Sequence, residues 1–286
     1  VSLPFHHSVT QEYLRAWGHA PKFKAIPGFI RYPNGSVVPK ENIPIRRTGG
    51  EFGLYGFTNV DPHTANAVER DFITPHVDHP GHAVLTKLRA GTCELNAQER
   101  WDFAVFLNSL ALRTPKQVEK IKRMGPEVLR VELERDPERY ESMRKPGMPA
   151  TAAEFCNIIA PKLAENFGMF SFSATVLSQN LVEPIYKMHW MVMLTPPGVT
   201  LLTSDNPMWA PALPADLKCL LVLPISPGAL FIATHTENIS LIRSERPEVI
   251  AELSNRSQCM GAQRTVYGRS TLEFARTYMS EINRSS

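Results

Sequence analysis

The run from Trp101 to Leu112 most constrains this chain, because only Asp102, Asn108 and Ser109 interrupt an otherwise apolar stretch. A helix that is apolar on almost every side cannot rest on a surface and has to be wrapped by the rest of the fold. The helix is expected from about Asn96 to Leu112. Thr114-Pro115 stops it, since the residue before a proline resists helical backbone angles. Gln98, Asp102, Ser109 and Arg113 then share one side by helical spacing. Arg113 falls at the carboxy-terminal end, where a cation suits the helix dipole and a guanidinium can equally serve chemistry.

The amino-terminal segment carries the second constraint. His6 and His7 stand directly before Ser8-Val9-Thr10-Gln11, in which Ser8 and Gln11 have the spacing of a capping box. Val9, Tyr13, Leu14 and Trp17 make an apolar stripe behind them. His7 is therefore expected at or beside a helix amino terminus, where the dipole favours anions and disfavours an imidazolium. A neutral imidazole there can act as a base, a metal ligand or a phosphate neighbour.

Between these segments, residues 20–60 are rich in Pro and Gly and read as loops and short strands. Asp61-Pro62 opens a helix to about Asp71, and a second helix runs from about Asp78-His79-Pro80 to Leu88. Residues 116–145 interleave Lys, Arg and Glu, as in a solvated helix laced with ion pairs. Helices follow over 151–166 and near 172–181. Then the texture changes. His189–Leu194 and Val199–Thr203 flank Pro196-Pro197-Gly198, while Leu220–Leu223 and Ala229–Ala233 flank Ser226-Pro227-Gly228, so two apolar hairpins are expected.

With 286 residues, 43% hydrophobic and 21% charged, the chain can bury a large core and lacks the composition of a disordered protein. It has no apolar run long enough for a helical membrane span, and no secretion signal is expected. Cys93, Cys156, Cys219 and Cys259 lie far apart without a C-x-x-C pair, which fits a reducing, cytoplasmic setting. A net charge of +3 tolerates an anionic partner without demanding nucleic acid. The phosphate-binding loop, dinucleotide fingerprint, serine-hydrolase elbow and kinase motifs are all missing.

Two polar groupings remain. Thr203-Ser204-Asp205-Asn206-Pro207 places a carboxylate where a strand ends, either for a site or for an Asx-turn that satisfies its own backbone. Asp78-His79-Pro80-Gly81-His82, with His76 just upstream, offers metal-type ligands or a helix cap. Trp209, beside the Asp-Asn-Pro turn, is the candidate pocket wall.

Taken in order, His6-His7, Val9, Gln11 and Tyr13-Leu14-Arg15, then Ala111-Leu112-Arg113-Thr114-Pro115, then Thr203–Pro207, then Leu223-Pro224-Ile225-Ser226-Pro227 form a specific set. The set resembles a large, mainly bacterial family of unknown function, DUF4238, whose members begin with a segment like HHYVPQFYLRNF and carry a late SDNP motif. The resemblance covers nearly the whole chain. The family pattern has an isoleucine-glutamate step opening the helix before the central one, for which Val77-Asp78 stands here with Asp in place of Glu. Thr10 replaces the usual proline and leaves Ser8 to cap the helix. The resemblance implies a shared architecture and polar constellation, and no reaction.

The chain is thus expected to be α+β, a mainly helical body with an antiparallel sheet of hairpins from the C-terminal half. One compact domain over 1–286 divides into a helical part at 61–182, a hairpin sheet at 187–240 and C-terminal helices at 246–282. The expected function is hydrolysis of a phosphate-containing substrate, nucleic acid included, assisted by a divalent metal ion. His7, Asp205 and Arg113 are the expected catalytic residues, and His6, Gln11, Asn206 and Trp209 the substrate-binding ones. Asp78, Asp205 and His7 are the expected metal ligands. The alternative is a non-catalytic protein that binds or senses an anionic ligand. A plainer alternative is a polar network that only pins the amino-terminal helix to the core.

Overall fold

The computed structural model describes residues 4–18 and 24–280. Its centre is the helix Ala97–Leu112, capped by Asn96 in a reciprocal box with Glu99 and buried without interruption from Phe103 to Leu110. The helices His79–Arg89, Phe172–Val176 and Gln179–Lys187 pack around it. Phe103 meets Trp190 and Phe231 edge to face, which joins the helix to a sheet on its remaining side. The apolar run dictates this enclosure, and Arg113 follows at the helix end, inside the protein.

The strands of the described residues are β1 (Phe5–His7), β2 (Ala25–Arg31), β3 (Val37–Pro44), β4 (Gly50–Phe52), β5 (His189–Leu194), β6 (Thr203–Ser204), β7 (Leu220–Ser226), β8 (Ala229–Thr234) and β9 (Thr265–Tyr267). They form antiparallel sheets in the orders β1-β4, β3-β2-β9-β6 and β5-β8-β7. The fold is α+β, mostly helical. Of the two expected apolar hairpins only β7-β8 forms, joined by its own turn. Pro196-Pro197 brings no N–H to a ladder, so β5 pairs with β8 while Thr203-Ser204 joins β9. The middle sheet therefore unites residues near both ends of the chain.

The amino terminus also departs from expectation. His6 and His7 lie on β1, and the short helix Gln11–Leu14 is capped by Thr10, whose hydroxyl accepts from Tyr13 N–H. Ser8 instead donates to the Gly49 carbonyl. Tyr13 reaches the Pro224 carbonyl at 2.5 Å, Trp17 donates to the Leu201 carbonyl, and Arg89 bridges the Tyr13 and Ile225 carbonyls. The Tyr-Leu-Arg and Leu-Pro-Ile-Ser motifs thus meet in the core.

Between Asp61 and Arg89 the chain does not make two separate helices. Asp61 caps a turn at Pro62–Ala65, and a π-helical stretch, Val68–Asp78, leads directly into His79–Arg89. Pro75 sits inside the stretch, where it removes one donor and crowds the turn before it. Wider i→i+5 coils of this kind are rare and recur at functional sites. The stretch positions two carboxyl groups. Glu69 and Asp78 are nine residues apart, half a turn out of phase in an α-helix of about 3.6 residues per turn, but closer to in phase in the wider coil.

Candidate functional site

Arg113 closes the central helix and has no exposed surface. A guanidinium taken wholly out of water needs a counter-charge, and Asp78 supplies it: Arg113 Nη1 donates to Asp78 Oδ1 at 2.7 Å. Asp78 precedes the His79–Arg89 helix without capping it, so its carboxylate is spent on the arginine. Burial pushes the Asp78 carboxyl up and Arg113 pulls it down, with burial the larger. Arg113, which does not lose its proton, is the charge that opposes this rise. Arg113 Nε and Nη2 are buried and have no partner. These two atoms form one edge of the guanidinium plane, the edge that binds a carboxylate or phosphate through two parallel hydrogen bonds.

Glu69 opens the π-helical stretch and feels both Arg113 and Asp78. Burial pushes its carboxyl up to about 7, Asp78 adds to this, and Arg113 opposes it. Its Oε2 is another buried atom without a partner. The two carboxyls divide their work accordingly: Asp78 neutralises the arginine, and Glu69 can hold or give a proton near neutral pH.

The two histidines are equally divided. His6 is fully satisfied, since Nδ1 accepts the Tyr55 N–H at 3.0 Å and Nε2 meets Asn66 Oδ1 at 2.6 Å. A backbone N–H can only donate, so the proton of neutral His6 is on Nε2. Tyr55 stacks on its ring. His7 is different. Its ring bonds the Ile45 backbone through one nitrogen, while Nε2 is buried without a partner. The Ile45 contact favours the protonated ring, as a carbonyl acceptor does, which places the neutral ring's proton on Nδ1 and a lone pair on Nε2. Burial lowers the His7 pKa, and the Arg113 and His6 charges lower it further. His82, in contact with the Thr10 hydroxyl at 2.6 Å, is pushed down to about 3 by burial and by Arg113 among other cations. Arg113 is thus the common charge acting on His7, Glu69, Asp78, His82 and Tyr55.

The sequence pattern described as "Protein of unknown function (DUF4238)" matches residues 6–271. The chain belongs to the DUF4238 family. No curated protein and no solved structure matches it. In this DUF4238 member the residues around Arg113 all fall within the matched span.

The late motif has a different role. Asp205 accepts three backbone N–H groups, from Gln263 to Oδ1 and from Arg264 and Thr265 to Oδ2, at 2.7–2.8 Å. Asn206 donates to the Gly261 carbonyl, Ser204 to Gln258, and Gln258 to the Pro207 carbonyl. This is a clamp on the turn between the Pro247–Gly261 helix and β9. Both Asp205 oxygens and the Asn206 Nδ2 are engaged by backbone, at residues expected to serve catalysis and substrate binding. His6 likewise serves as a clasp between Tyr55 and Asn66. Gln11, the first helical residue, is half-buried. Trp209 lines an apolar pocket on the β7 side, bridged to Val222.

Among the described residues no group of three or more His, Cys, Asp and Glu side chains is arranged to hold a metal ion. Asp78, Asp205 and His7 do not gather as a ligand set: one carboxylate is paired with Arg113 and the other with backbone amides. Glu69 and Tyr55 were not singled out by sequence, and His82 was, as a metal-type ligand, whereas it meets the Thr10 hydroxyl. Val68-Glu69 is an apolar–acidic pair in the same helical stretch as Val77-Asp78 and retains the glutamate, so it was the available signal for Glu69.

Proposed function

We propose that this DUF4238 protein hydrolyses a small phosphodiester. The observation that supports the reading most is a single one: Arg113 Nε and Nη2, Glu69 Oε2 and His7 Nε2 are all buried and unpartnered around one cation. Leaving such atoms unpaired costs about 1–3 kcal/mol each, so a bound group that satisfies several of them at once is strongly favoured.

Charge selects the substrate. Arg113 and Asp78 cancel, and protonated Glu69 adds nothing, so the group is near neutral below pH 7. It suits a monoanion better than a dianion, hence a diester better than a monoester. The free guanidinium edge takes two non-bridging oxygens. His7 Nε2 accepts a proton from the attacking water as the new P–O bond forms. Protonated Glu69 gives its proton to the departing oxygen as the other P–O bond breaks, and Arg113 stabilises the charge that develops between. A cytoplasmic, bacterial setting belongs to the same proposal, and four free cysteines agree with a reducing compartment.

Bis(p-nitrophenyl) phosphate is the probe. Wild-type protein is expected to release p-nitrophenol, with a loss of 100-fold or so in kcat for His7→Ala and Glu69→Gln. Binding of dimethyl phosphate without turnover of any diester would replace the hydrolase by the anion-binding alternative. Neither binding nor turnover would refute both.

A further inference from the structure

The helix Pro247–Gly261 turns a stripe of side chains toward the outer face of the β5-β8-β7 sheet without closing on it. Between them lies a pocket of about 720 Å³, within the range for small-molecule sites. Its walls are Trp209, Val222, Ile232, Ile242, Leu253 and Met260. Leu253 is 56% exposed and Met260 44%, which is unusual for a stripe that a sheet could have covered.

Two polar atoms in this apolar lining have no partner. Ser254 is 4% exposed and its Oγ is unbonded, and Arg256 Nε is buried and unbonded although Nη2 pairs with Glu252. Both can donate. A serine within a helix normally turns its hydroxyl back to a carbonyl one turn earlier, as Ser257 does toward Ser254. Ser254 does not, and faces the pocket. The charges nearby balance against an anion: Glu252 already offsets Arg256, and Glu245 adds a carboxylate at the lining.

From these features we infer a second site, separate from the Arg113 group, for a neutral lipophilic small molecule that carries a carbonyl-type acceptor. The apolar body fills the space between sheet and helix, and the acceptor takes the Ser254 hydroxyl. The neutral form is preferred because the lining has no uncompensated cation for a carboxylate.

Nile red, a neutral dye with one carbonyl that brightens in apolar surroundings, tests this on the full chain. It is expected to bind saturably at one site. Leu253→Glu should weaken binding at least tenfold, while Ile158→Glu, at a similarly exposed position on the Ala152–Ile159 helix, should leave it unchanged. Ser254→Ala should weaken it about fivefold without lowering the melting temperature, since the hydroxyl it removes has no partner within the protein. Decanamide should displace the dye at lower concentration than decanoate. Equal binding by Leu253→Glu, or tighter displacement by decanoate, overturns the inference. So does sedimentation showing a dimer that excludes the dye and separates on Leu253→Glu, because the pocket would then be an interface between copies.

Discussion

Arg113 and Asp78, 35 residues apart in sequence, meet at 2.7 Å, the guanidinium with no exposed surface and the aspartate side chain with 12% of its own. The pair ties the end of the central helix to the end of the π-helical stretch, and leaves Arg113 Nε and Nη2 buried without a partner. Removing one partner leaves the other charged, buried and alone. Arg113→Ala should therefore cost about 3–5 kcal/mol in urea denaturation, and Arg113→Met with Asp78→Leu should recover most of that loss. Equal stability of Arg113→Ala and wild type would show that the pair is solvated.

Glu69 gives the pair a pH signature. Its carboxyl titrates at about 7 in the folded protein against 4.5 for the ordinary group, so between these values the folded state binds more protons. The stability it contributes is full below pH 4.5 and is lost as pH rises through 7. Glu69→Gln should match wild type near pH 4 and exceed it at pH 8, by a few kcal/mol at most, since one pKa unit is about 1.4 kcal/mol. Melting curves across that range check the sign. A wild type that gains stability relative to Glu69→Gln on going from pH 4 to 8 would place an ionised carboxylate there.

His6 and His7 should separate cleanly. His6→Ala orphans the Tyr55 N–H and the Asn66 carbonyl, and a loss of about 2 kcal/mol or more is expected. His7→Ala removes one hydrogen bond, to the Ile45 backbone, from a ring whose Nε2 has no partner, and should cost less than His6→Ala, about 1 kcal/mol, while lowering diester turnover about 100-fold. Melting temperature and turnover measured on the two variants together decide between a clasp and a base.

The central helix, its Asn96 start, the Arg113 end and the β7-β8 turn were legible because each rests on neighbours in sequence. β6 pairing with β9 was not, since Thr203-Ser204 and Val266-Tyr267 lie far apart in sequence, on either side of a sheet and a helix. Glu69 was hidden for a related reason. At α-helical spacing it points away from Asp78, and only the π coil around Pro75 brings the two under one charge. Asp205 misled in the opposite direction, because a strand-end carboxylate looks the same whether it faces substrate or three backbone amides.

Asp205 should behave as architecture. Asp205→Asn puts an amide N–H₂ where backbone donors need an acceptor, and Asp205→Ala leaves three donors without one. Each variant should lose about 1–3 kcal/mol by urea denaturation, with dimethyl phosphate binding unchanged in the folded protein. A variant that keeps its melting temperature and loses binding would return Asp205 to the site.

The free edge of Arg113 can be observed directly by following its Nε–H signal in ¹H–¹⁵N spectra during a titration with dimethyl phosphate. The Arg113 signal is expected to move downfield and saturate, as a new charge-assisted hydrogen bond forms on a nitrogen that has no partner in the protein. His7→Ala should weaken the titration, and Asp205→Asn should not. An Arg113 signal that stays in place while dimethyl phosphate reaches saturating concentration would contradict the account.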